Sequence, residues 1–331
     1  MLFFGLLLFL FLQIIRPQDF VPGLQGVRLV LYLMVVLLIG LLFSPVDKKL
    51  IRTPQDKYAG VFLISIVLST LTLFWFSYIL DTAIETMKTA LMYYFLVMVI
   101  ASEDRFQKTV WTMVALMGWV ALMGVLQYHG YDITGAGMDF AEDKGVWQIK
   151  GIGNFDNPND LAYSTVLVVP FALGLLFQTK AFLKRIIALL LLIFSTYCIY
   201  LTKSRGGQVA LAASLGAWFY LWTKNPKIKR RLMLLAITGI IAVGIAQSTG
   251  YRQDESAMGR IQAWSKGWQL LKSNPIVGVG KDQFREHYKK DTHSSYVRAG
   301  AELGLLGLYA LMGMIYAVAL TILGVQKPVV D

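Results

Sequence analysis

The chain holds three histidines, His129, His287 and His293. Histidine is the side chain best suited to move a proton near neutral pH. His293 has the strongest claim, because it stands in the polar run Thr292-His293-Ser294-Ser295-Tyr296. No two histidines have the spacing of metal ligands, so neither a metal site nor another cofactor is expected. The next candidate is Lys203-Ser204-Arg205-Gly206-Gly207. Arginine offers a planar fork of donors that matches phosphate oxygens, and the two glycines allow close backbone approach. The alternative is a plain turn with a snorkelling arginine. Arg298 and Glu302 are four residues apart, on one helix face, where they can pair. Such a pair is either structural glue or part of a site.

Two further runs hold polar groups. Asn154-Phe155-Asp156-Asn157-Pro158-Asn159-Asp160 reads as a turn with Asn159 or Asp160 capping the helix that follows. Its acids do not have calcium-loop spacing. From Arg260 to Ser273, Ile261, Trp264, Trp268 and Leu271 recur at helical spacing, and Asn274-Pro275 ends the helix. The tryptophan face suits either the headgroup level of a membrane or packing on other helices. Gly278-Val279-Gly280 has no strand–helix context and reads as a tight turn.

These residues must be held by membrane helices. The 331 residues are 56% hydrophobic and 15% charged, with a mean hydropathy of +0.58. That excludes a soluble enzyme, a disordered tail and a nucleic-acid-binding domain as leading readings. Cys198 is the only cysteine, so no disulfide framework exists, and its apolar surroundings make it a packing residue. Ten spans are expected, near 1–16, 27–44, 58–80, 88–101, 109–128, 160–178, 186–202, 207–222, 232–249 and 298–324. With the N-terminus in the cytoplasm, the short inner loops carry 14 Lys and Arg and the short outer loops 5. Two long loops then lie outside, 129–160 and 249–296, within a single integral membrane domain of residues 1–331. The second holds eight Lys and Arg against five acids, which points to an anionic ligand or to a solvated basic loop. The fold class is an all-α polytopic bundle.

Four segments together resemble the O-antigen ligase and polymerase superfamily of bacterial inner-membrane glycosyltransferases. They are GNFDNPNDLA (153–162), LTKSRGGQVAL (201–211), GRIQAWSKGWQLLKSNPIVGVGKDQF (259–284) and HSSYVRAGAELGLLG (293–307), in the family's order. The resemblance covers about residues 150–324. It implies a GT-C-like, metal-independent, inverting transferase. Such an enzyme takes a glycan from undecaprenyl diphosphate on the periplasmic face and gives it to lipid A-core, to a growing polysaccharide or to a protein. His293 matches the family's loop base, and Arg205 and Arg260 match arginines that hold the diphosphate. Ser204, Asn159, Tyr296 and Glu302 fall in the same motifs as supporting residues. The family often has Asn where this chain has Ser294. Members often continue through a further pair of spans beyond the point where this chain stops, Asp331, so a lost pair and a fragment are both open. A transporter or flippase for an anionic lipid or solute is the competing reading. It calls for charges deep within spans or helices broken near the midplane. A non-catalytic assembly subunit is the third.

Overall fold

The computed structural model describes residues 1–45, 49, 51, 53–141, 145–151, 153–235, 238 and 255–322. The chain forms two compact units.

The first unit comprises Met1–Pro45 and Val99–Ile241. Its helices are α1 (Leu2–Ile15), α2 (Leu29–Leu42), α5 (Glu103–Tyr128), α6 (Pro158–Val166), α7 (Val168–Gln178), α8 (Phe182–Leu201) and α9 (Arg205–Trp222). A further helix, α10, is described over 226–235. Ser102 caps α5 by accepting the Arg105 N–H, and Glu103 and Asp104 sit favourably in its positive first turn. Val114, Met117, Ala121 and Val125 recur at three- and four-residue spacing on α5. They bury against Ile14, Leu161, Val168, Cys198 and Leu201. Cys198 is therefore a packing residue in this core.

Between α5 and α6 the chain makes an antiparallel hairpin, β1 (Met138–Ala141) and β2 (Val146–Ile149), with Phe140 opposite Trp147. This small hairpin was not expected in the 129–160 loop, and it is an addition to an otherwise helical fold. The aromatic cross-strand pair, 5.2 Å between ring centroids, stabilises the hairpin, and Ile149 anchors it in the core.

The second unit comprises Val46–Met98 and Ala242–Asp331. Its helices are α3 (Pro54–Leu71), α4 (Phe76–Val99), α11 (Glu255–Ser273), α12 (Phe284–His287) and α13 (Ser295–Ile322). α3 begins where Thr53 and Asp56 form a capping box around Pro54, with the Thr53 N–H donating to Asp56 at 2.6 Å. The Tyr93 hydroxyl donates to the same carboxylate at 2.6 Å, tying α4 to the start of α3. α3 and α13 run together, with Tyr58 packed on Gly313 and edge-to-face on Tyr309.

Among the described residues, five stretches are long and apolar enough to cross a membrane: Leu2–Asp19, Glu103–Tyr128, Pro158–Gln178, Phe182–Leu201 and Ser295–Thr321. The expected spans 27–44, 88–101 and 207–222 coincide with helices that are shorter or less apolar. The expected span 58–80 is two helices, because α3 stops at Leu71 and Phe74 adopts a left-handed φ of 51° before α4 begins. Most of the expected span 232–249, and the start of the expected 249–296 loop, lie outside the described residues.

Candidate functional site

In the second unit, α11 packs on α13 through small residues. A Cβ on Gly267 would stand 2.4 Å from Val297, so only glycine admits this approach. Gly259, Ala263, Gly267, Leu270 and Leu271 form the buried face. Trp264 and Trp268, 46% and 58% exposed, point away from it. The amphipathic helix is therefore present, and of the two alternatives for its tryptophan face, packing on other helices does not hold, because the packed face is the small-residue face. Indole rings do not fit where two backbones come this close. Trp264 instead donates its Nε1–H to the Thr292 carbonyl at 2.8 Å, which holds the segment before α13 against α11.

That hydrogen bond brings two distant stretches together. Gly259 and Arg260 on α11 and Lys290, Asp291 and His293 before α13 line one cavity of about 340 Å³. The Lys290 ammonium lies 3.0 Å from where a Gly259 Cβ would stand, so Gly259 leaves room for it. His293 is exposed and left-handed, φ 46°, a conformation histidine adopts more readily than most residues. Ser294 follows as the N-cap of α13, its hydroxyl accepting the Val297 N–H at 3.4 Å. Serine and asparagine are equally good caps, so an asparagine here would supply the same helix start.

Asp291 is braced by Arg285 at 2.8 Å and Arg298 at 3.9 Å. Partial burial alone would raise its pKa, but the Arg285 hydrogen bond and the Arg298 charge outweigh burial and hold it below the ordinary value. The cavity therefore meets an anion with the cations Arg260 and Lys290, while its one carboxylate is already neutralised.

Glu302 stands behind this cavity rather than in it. Only 4% exposed, it accepts the backbone N–H groups of Asp282 at 2.9 Å and Phe284 at 3.3 Å, and Arg298 Nε at 3.1 Å. Arg298 also reaches Asp282 at 2.8 Å. The pair organises the 281–284 turn below the site. Tyr296 is exposed on the first turn of α13 and does not line the cavity.

The glycine motifs explain one another. α13 is broken at Gly304, φ 67° and ψ −162°. The break frees backbone groups that the 275–280 loop satisfies. Val279 N donates to Ala301 O and Gly280 N to Glu302 O, both at 3.0 Å, and Leu305 N donates to Pro275 O at 2.7 Å. The Ser69 hydroxyl of α3 donates to the same Glu302 carbonyl. Gly278-Val279-Gly280 is a tight turn, as its sequence suggests, and its backbone is a splint for a broken helix.

The remaining site candidates sit in the first unit. Ser204, 1% exposed, caps α9 by accepting the Gly207 N–H at 3.1 Å and donates to Asn159 Oδ1 at 2.6 Å. A Cβ on Gly207 would meet the Ala162 methyl, so this glycine is required by close approach, whereas one on Gly206 would only displace the half-exposed Tyr163 hydroxyl end. Arg205 is exposed at the first turn of α9. The cap of α6 is Asn157, which accepts the Asn159 N–H at 2.8 Å, rather than Asn159 or Asp160. Pro158 occupies N1, which shifts the cap two residues earlier and leaves Asn159 free to hold Ser204.

Lys290, Asp291 and Arg285 were not singled out by sequence reasoning. The available signal was the basic excess of their loop, which carries no information on which cation turns inward.

Residues 187–312 match the O-antigen ligase family. The matched stretch contains Ser204, Arg205, Arg260, Lys290, His293 and Glu302. No curated protein and no solved structure matches the chain. The family match supports the O-antigen ligase/polymerase superfamily, and with it a ligase- or polymerase-type glycosyltransferase of the membrane.

Proposed function

On the premise that residues 187–312 carry an O-antigen ligase domain, we propose that this protein moves a glycan from undecaprenyl diphosphate to an acceptor hydroxyl at the periplasmic face of the inner membrane. The acceptor is lipid A-core or a growing polysaccharide. The observation that carries this reading is the shared cavity of Arg260, Lys290 and His293. An imidazole beside two cations supports a base and a diphosphate clamp at one site.

The chemistry follows from those groups. His293 takes the proton of the acceptor hydroxyl as its oxygen bonds to the anomeric carbon. The anomeric carbon–oxygen bond to the diphosphate breaks at the same time, and the lipid diphosphate leaves with the electron pair. Attack from the opposite face inverts configuration. Charge develops on the leaving diphosphate, where Arg260 and Lys290 stabilise it. The step needs no metal. A positioned base contributes roughly 10²–10⁴-fold, and one fixed charge donor roughly 10²–10³-fold.

The test is glycan display in cells lacking the endogenous protein, complemented with wild type or with His293→Ala, Arg260→Ala, Lys290→Ala or Arg205→Ala. Membrane levels are measured for each. Wild type restores the polymer, and the variants, present at equal levels, do not. The electrophoretic pattern then separates transfer to lipid A-core from chain extension. Restoration by His293→Ala at the wild-type level would remove the base from the mechanism.

A further inference from the structure

The first unit holds a basic surface that the transfer reaction does not use. No Asp or Glu occurs between Asp160 and Asp254. Within that interval, residues 180–185 supply three Lys and Arg and residues 224–231 supply five. These two stretches follow α7 and α9, and the fold brings them together. Phe177, at the end of α7, stacks on Trp218 at 5.5 Å and lies 5.7 Å from Trp222, at the end of α9. Lys229 then folds back over the Tyr220 ring at 5.0 Å. In the same unit, Glu103 and Asp104 at the start of α5 are already bonded within that helix, to Gln107 at 3.0 Å and Lys108 at 2.7 Å.

We infer that this end of the first unit is a binding site for anionic phospholipid. A row of cations with no acid in its own stretch of chain draws its counter-charge from outside. The stacked Phe177, Trp218 and Trp222 mark a membrane–water boundary, where such rings settle. Phe177 and Trp222 are each 56% exposed, and Phe182 and Leu183 more so. A lipid seated here lays its acyl chains along these apolar side chains and its phosphate among the Lys and Arg. The site is distinct from the Arg205 end of α9, because the 18-residue helix separates the two by about 26 Å at 1.5 Å per residue.

The full-length chain, purified in a neutral detergent, is mixed with dioleoylphosphatidylglycerol, dioleoylphosphatidylcholine or sodium phosphate. Bound lipid is counted by native mass spectrometry. The phosphatidylglycerol binds more tightly than the phosphatidylcholine, and added salt weakens it. Juxtamembrane cations contribute roughly fivefold each. Changing Lys180, Lys184, Lys227 and Lys229 together to Gln therefore lowers phosphatidylglycerol affinity by about two to three orders of magnitude. The same four changed to Arg retain it, and Lys108→Gln, which removes a cation already paired with Asp104, leaves it unchanged. Equal binding of phosphatidylcholine, displacement of lipid by free phosphate at similar concentration, or full retention by the Gln variant would each overturn the inference. A Gln variant whose unfolding midpoint in detergent alone matches wild type excludes misfolding as the cause.

Discussion

Gly304→Ala separates a structural from an incidental role for the glycine in the last motif. Gly304 has φ 67° and ψ −162°, a region essentially restricted to glycine. Forcing alanine into it costs about 1–3 kcal/mol. The new Cβ would also stand 2.4 Å from the Ile276 carbonyl oxygen and 2.6 Å from Val277 N. These are backbone atoms, so relief requires the 275–280 loop to withdraw. Withdrawal breaks the Leu305 N to Pro275 O hydrogen bond of 2.7 Å and the Val279 N to Ala301 O bond of 3.0 Å. Each is worth about 1 kcal/mol. The expected loss is about 3–5 kcal/mol, or several degrees in the unfolding midpoint. Thermal unfolding in detergent reads the midpoint, and limited proteolysis reads new cleavage between 275 and 284. Gly216→Ala is the control. It lies in α9 with nothing within 4 Å of the added methyl, so it is neutral or slightly stabilising. A Gly304→Ala protein with the wild-type midpoint and cleavage pattern would refute the splint.

Four further outcomes follow from the structure. Ser204→Ala removes a helix cap and a buried hydrogen bond to Asn159, and costs about 1–3 kcal/mol in unfolding measurements. Asn159→Ala measured alone and with Ser204→Ala shows non-additivity of at least about 0.5 kcal/mol if the two act as a pair. Ser294→Asn keeps the α13 cap and leaves the midpoint unchanged, whereas Ser294→Ala lowers stability by about 1 kcal/mol. Asp291 has a folded pKa below its ordinary 3.8, so its contribution is fully present above that value and is lost as pH falls through the lower folded one. The stability difference between wild type and Asp291→Asn is therefore constant from pH 7 to about 5 and shrinks below about pH 4. A difference that vanishes near pH 6 instead would assign the effect to another group.

Much of the protein was legible in one dimension. Apolar runs are local, and a helix crossing a membrane satisfies its own backbone, so α1, α5 and α8 could be read directly from hydropathy, as could α13 apart from its break at Gly304. The stop at Ser273 follows from Asn274-Pro275, since proline restricts its neighbour whatever surrounds it. The pairing of Arg298 with Glu302 is also local, a consequence of helical spacing. Only the tertiary structure decided that α3 and α4 part at Phe74, and that the small face of α11, not its tryptophan face, meets α13. It also decided that Asn159 belongs to Ser204. The cavity is the clearest case. Gly259 and Arg260 stand some thirty residues from Lys290 and His293 in sequence, and no pattern of residue types fixes their distance. They meet because Gly267 lets α11 approach Val297 of α13 closely, while Gly259 leaves room for the Lys290 side chain.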